Sequence, residues 1–127
     1  MAAHPIHIGL GALASSEPRF TGGMDWYDGY VARHAADGAE GRLVSLHVFT
    51  EPWTMWEMHP QGCEVVLCIE GAMTLRQQAA DGSVQSVLLN AGQYAINAPG
   101  VWHTADVSGK ATALFITAGM GTQHRPR

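Results

Sequence analysis

Residues 55–75, MWEMHPQGCEVVLCIEGAMTL, place two acids and a histidine at the entry to an apolar run. Side chains alternate along a strand, so Glu57 and His59 share one face and Trp56 and Met58 the other. Pro60 and Gly62 supply a bend, after which the chain can double back and set Glu64 beside the first strand. Two carboxylates and an imidazole then converge where EVVLCIE begins, a stretch otherwise rich in β-formers. An unpaired carboxylate in apolar surroundings costs on the order of several kcal/mol. A divalent cation removes that penalty for both carboxylates at once and keeps the imidazole neutral and coordinating.

Outward from this stretch the pattern is β from Arg42 onward. RLVSLHVF alternates Val44, Leu46 and Val48 with Leu43, Ser45, His47 and Phe49. TMWEMH, EVVLCIE, AMTLRQQ, SVQSVLL, QYAINA, WHTADV and ATALFIT follow, separated by PQG, EG, ADG, NAG and APG. Short strands at such spacing predict an all-β sandwich or barrel. Tight reversals are expected at Glu70–Gly71, at Ala79–Ser83 and at Asn90–Gly92, giving an antiparallel meander. Residues 1–40 carry turn signals at Gly22–Gly23, Asp28–Gly29 and Asp37–Gly38, with no helical period of useful length. They are expected to form an ordered arm with one or two short strands, part of the same domain as a barrel over 41–127.

A second cluster, Asn97-Ala98-Pro99-Gly100-Val101-Trp102-His103, joins a Pro-Gly turn to a new strand. That strand can deliver His103 to the mouth that holds Glu57, His59 and Glu64. Two histidines and two carboxylates suit Zn, Fe(II), Mn or Ni.

At these residues the chain resembles a single-domain cupin of the RmlC-like type. The family's first motif, Gly-x5-His-x-His-x3,4-Glu-x6-Gly, is matched by His59, Glu64 and Gly71. Glu57 stands where the first histidine usually stands, and Glu51 replaces the leading glycine. The second motif, Gly-x5-Pro-x-Gly-x2-His-x3-Asn, is matched by Gly92, Pro99, Gly100 and His103. Gly92 to Pro99 is one residue longer, Pro99 and Gly100 are adjacent, and Val107 replaces the terminal asparagine. The resemblance implies a jelly-roll barrel, or double-stranded β-helix, with a divalent metal on Glu57, His59, Glu64 and His103. If Glu57 is free of the metal, it is the candidate catalytic base. The implied function is a metal-dependent enzyme acting on a small polar molecule inside the barrel, by dioxygenase or by isomerase or lyase chemistry. The alternative is a non-catalytic cupin that binds a metal or small molecule as a sensor or scaffold. The resemblance also implies a homodimer, formed by sheet addition through the N-terminal arm.

The remaining candidates have weaker claims. Cys68 shares a face with Glu64 and either lines the cavity or fills the core. Tyr94 and His47 are candidate cavity residues on neighbouring strands. His4, His7, His34 and His124 are read as non-ligands, and the tail GTQHRPR as solvated by default, with an arginine there as a minor candidate for binding an anionic substrate. Trp53, Trp56 and Trp102 are read first as core or interface residues.

Composition narrows the partners. The chain has 127 residues, a length for one domain. A formal charge of −4 with no basic block argues against nucleic acid. No apolar run reaches the ~20 residues of a membrane span. The start lacks a positive region ahead of its apolar patch, so no signal peptide is read and a cytoplasmic location is expected. Cys63 and Cys68 in one extended segment would lie roughly 16 Å apart, beyond the ~7 Å limit of a disulfide. Only 14% of residues are charged, a surface poor enough to be partly covered by a second subunit.

Overall fold

Gly71 bends the chain where a hairpin was expected. In the computed structural model, which describes residues 1–127, a single strand β5 runs Glu64–Gln78 through this glycine. Gly71 has φ +75°, and a Cβ there would run into the Lys110 carbonyl oxygen of the neighbouring strand. Register shifts flank it, between Cys68 and Glu70 and between Gly71 and Met73. The left-handed residue and the bulge kink the ribbon without reversing it. WHTADV and ATALFIT likewise form one strand, β8 Trp102–Thr117, with Gly109 at φ +88° near its middle. The meander is therefore corrected: β5 and β8 pair antiparallel along both their halves.

These two kinked strands serve two layers. In one, β8 (Ala111–Thr117) pairs β3 Arg42–Phe49, and the first half of β5 pairs β7 Tyr94–Asn97. In the other, the second half of β5 pairs β6 Val84–Asn90, and the start of β8 meets β4 Met55–Met58. The hairpin at Ala79–Ser83 and the turn at Asn90–Gly92 form as expected, closed by Ala79 N–H to Ser83 O and Gln93 N–H to Asn90 O. The core between the layers is Val66, Cys68, Met73, Leu75, Leu89, Ala105, Val107, Ala111, Ala113 and Phe115. The architecture is an all-β jelly roll.

The arm holds more than strands. β1 Ile6–Ile8 pairs β3 of its own chain, and β2 Ala14–Ser16 pairs β1. A helix, α1 Met24–Arg33, follows, where turns had been read. Trp26 and Tyr30, one helical turn apart, stack at 5.9 Å and bury themselves against Leu43. Asp25 in the first turn and Arg33 in the last complement the helix dipole. Glu17 anchors the helix end, accepting from Arg33 Nη2 at 2.6 Å with His34 Nε2 also at 2.6 Å. No helix is long and apolar enough to cross a membrane.

The tail also departs from its reading. β9 Gln123–Pro126 pairs β4, with Glu57 opposite His124 and Trp56 opposite Arg125. Arg125 lies over Trp102 at 4.3 Å and near Trp56 at 5.5 Å, and its guanidinium donates to Gln78. Arg127 donates to the Asp106 carboxylate at 2.6 Å. Cation–π contacts and an ion pair hold the last turn of chain against the barrel.

Candidate metal centre

Three short elements carry the polar cluster. β4 presents Glu57, and the turn after it presents His59. β8 presents His103 directly opposite Glu57, and β5 opens on Glu64. The two loops behind the cluster are tied together by Gly100 N–H to the His59 carbonyl at 3.0 Å. His59 Nε2 stands 3.3 Å from Glu64 Oε1 and 3.8 Å from Glu57 Oε1, and His103 Nε2 stands 3.0 Å from Glu64 Oε2. His59, Glu64 and His103 are at most 3% exposed, whereas Glu57 is 27% exposed at the rim.

The histidine tautomers follow from their partners. His103 Nδ1 lies 3.1 Å from the Val101 carbonyl, which only accepts, so Nδ1 carries the proton. His59 Nδ1 lies 2.8 Å from Thr122 Oγ1, and that hydroxyl gives its single proton to the Gly119 carbonyl at 2.8 Å. His59 Nδ1 must therefore donate as well. With Nδ1 committed to donation in each ring, Nε2 is the nitrogen turned toward the cluster. Both Nε2 atoms are buried without an assigned hydrogen-bond partner, each facing a Glu64 oxygen. Buried orphaned atoms of this kind carry a desolvation cost that a cation would relieve.

Glu64 is equally constrained. Asn97 Nδ2 donates to one oxygen at 3.0 Å and Thr117 Oγ1 to the other at 2.8 Å. Burial alone would raise its carboxyl, but His103 and His59 outweigh burial and hold it well below the usual carboxylate range. Burial would lower His103, yet Glu64 raises it instead. The ligand atoms of Glu57, His59 and His103 lie within 4.8 Å of one another. With Glu64 against both imidazoles, the donor set fits a divalent metal, and outer partners fix its orientation as metal ligands require.

A cavity of about 560 Å³ opens above the cluster between the layers. His47, Phe49 and Phe115 supply its walls from β3 and β8, while Phe20, Met24 and Tyr27 of the arm close over it. Tyr27 is pushed up to about 12 by burial, with the Glu57 and Glu64 charges adding to it. Burial lowers the His47 imidazole despite those same carboxylates.

Of the three candidate cavity residues, His47 lines the cavity and two do not. Tyr94 is corrected: it is 63% exposed on the outer face of β7. Of the two readings of Cys68 the core one holds and the cavity one is corrected: its face of β5 packs into the core, where it is fully buried. Both cysteines are free thiols. His124, read as outside the site, lies in the lining with Nε2 3.4 Å from Glu57 Oε1. Sequence reasoning also missed Thr117, Thr122 and Asn97, which orient the cluster. Asn97 had a signal, since it opens the second motif segment; Thr122 had none.

A second group, His7, His34 and Asp37, also lies close together. Its donors are consumed: His7 meets Tyr30 at 2.8 Å and Asp37 at 2.7 Å, and His34 meets Glu17. It is a bonded network that seats the arm.

The sequence matches no model of a known protein family, and no curated protein matches it. Among solved structures, oxalate oxidase aligns over 72% of this chain and 50% of its own, with a TM-score of 0.58 at 16% identity. Peruvianin-I, a cysteine peptidase from Thevetia peruviana latex, aligns over 67% and 56%, with a TM-score of 0.57 at 22% identity. A cupin superfamily protein from Desulfitobacterium hafniense aligns over 60% and 65%, with a TM-score of 0.51 at 18% identity. The chain spans about half to two thirds of the length of these structures. At such identities the likeness concerns the fold alone.

Proposed function

We propose that this chain, which has the cupin fold, is a metal-binding enzyme that transforms a small molecule held in the barrel. The observation that carries the reading is the pair of buried Nε2 atoms on His59 and His103, turned to one carboxylate and without an assigned hydrogen-bond partner. Glu57 completes the ligand set from the rim.

When bound, a metal in a set of two histidines and carboxylate with open positions supplies dioxygen chemistry as Fe(II), or Lewis-acid polarisation of a carbonyl as Zn, Mn or Ni. The donor set serves either chemistry, and oxygen uptake is the one a screen reads most directly. The chain's own groups have assigned tasks. Asn97 and Thr117 hold Glu64 as an ionised acceptor. Tyr27 stays protonated at neutral pH and offers an O–H to the ligand. His124, 3.4 Å from Glu57 at the rim, is placed to pass a proton to or from the cavity.

Anaerobic purification, iron loading and an oxygen-electrode screen test this reading. Iron with substrate-dependent loss of oxygen supports it. A protein that takes up only zinc and turns nothing over contradicts the enzyme and leaves a metal-binding module.

A further inference from the structure

We infer that the ligand of this cavity is an uncharged aromatic molecule bearing a hydroxyl, of the phenol or naphthol class, and not a small anion. The inference rests on the metal reading only for the position of the cluster; the walls argue for themselves.

Charge excludes anions first. No lysine or arginine lines the cavity. Arg33 is taken by Glu17, and Arg42 donates to the Ala39 and Gly41 carbonyls. The lining instead holds three acids: Glu57, Glu64 and Asp28. Two carboxylates offset a divalent cation in full, so the loaded site has no net positive charge with which to draw a carboxylate or phosphate. His124, at the rim, already faces Glu57. A dianion the size of oxalate would also leave most of 560 Å³ unfilled.

The walls then select a ring. Phe20, Tyr27, Phe49, Trp53 and Phe115 all line the cavity. Phe49, Trp53 and Phe115 pack with centroids 5.6 to 6.0 Å apart at tilted or perpendicular angles, an arrangement that a planar guest extends by edge or offset contact. One polar donor among these walls is placed for the guest. Tyr27 lines the cavity, and its phenol O–H is a donor from which a hydroxyl oxygen on the guest can accept. Polar groups set beside an aromatic wall fix orientation while burial of the ring supplies affinity.

The test compares 2-naphthol with 2-naphthoate, which share a ring and differ in charge, by calorimetry on metal-free and zinc-loaded full-length chain. Amide shifts on titration locate the ring. The expected result is at least tenfold tighter binding of 2-naphthol in both states, with the largest shifts at Phe49, Trp53 and Phe115. Tyr27→Phe, which keeps the wall and removes the donor, weakens 2-naphthol severalfold. Equal or tighter binding of 2-naphthoate overturns the inference, as does naphthol binding with shifts elsewhere. Metal content of the same samples separates the two readings: naphthol preference in a chain that takes up no zinc overturns the metal centre alone. Naphthoate preference in a chain with full zinc overturns the ligand class alone.

Discussion

Thr122 accepts from His59 Nδ1 at 2.8 Å while giving its own proton to the Gly119 carbonyl. A residue 63 positions away in sequence thereby decides which nitrogen of the imidazole is a lone pair. Thr122→Val keeps the shape and removes the acceptor, so His59 loses its fixed tautomer. Metal affinity is expected to fall about tenfold, the range found for outer partners of metal ligands. Competition with a chelator, alongside an unchanged circular dichroism spectrum, measures it.

Gly71 is expected to be intolerant of a side chain. Gly71→Ala places a Cβ against the Lys110 carbonyl at a backbone angle that L-residues avoid. The strain and the clash together cost about 3 kcal/mol, which lowers the melting temperature by roughly 10 °C. Gly82→Ala has the same positive φ but open space around it and should cost clearly less. Equal losses in the two variants would remove the role assigned to the kink.

The outer face of the β7–β5–β8–β3 layer is expected to meet a second copy. Cross-strand register lines up Ile96, Val65, Ile116 and Val44, and beside them Tyr94, Leu67, Leu114 and Leu46. No charge interrupts either row, and a broad apolar face of this kind marks an association site. Sheet addition through the arm would instead use β2, which ends the sheet beyond β1. Sedimentation should give twice the chain mass, and Leu67→Glu should return a folded monomer. A monomeric wild type at micromolar concentration would refute it.

Acid is expected to loosen the arm. Burial would raise the Glu17 carboxyl, but Arg33 and His34 outweigh it and leave it below the ordinary glutamate range. A carboxylate depressed in the folded state stabilises fully above pH 4.5 and loses that contribution as pH falls through its folded value. Thermal melts should therefore drop below pH 4.5 in the wild type. Glu17→Gln should start lower at pH 7 and show a flatter acid limb.

Much of this was legible in the sequence, for identifiable reasons. The alternation of RLVSLHVF and the turn chemistry of ADG and NAG are local, and local signals survive into the fold. His59, Glu64 and His103 were legible because two turns and strand alternation fix where they point. Helix α1 was misread because Gly22–Gly23 and Asp28–Gly29 look like turns, although Trp26, Tyr27, Tyr30 and Val31 already keep helical spacing. Gly71 and Gly109 were misread because a left-handed glycine serves a hairpin or a bulge equally well, and only the neighbouring strand decides which. Thr122 and His124 depend on β9 returning to β4, a pairing that no local pattern announces.

Elemental analysis of the purified chain, with His59→Ala, His103→Ala and Glu64→Gln beside it, tests the metal centre most directly. The account predicts close to one divalent metal per wild-type chain and loss of nearly all of it in each variant, with the fold retained by circular dichroism. Full metal in the folded histidine variants, or none in a wild type refolded with excess Fe(II), Mn(II), Ni(II) and Zn(II), would contradict it.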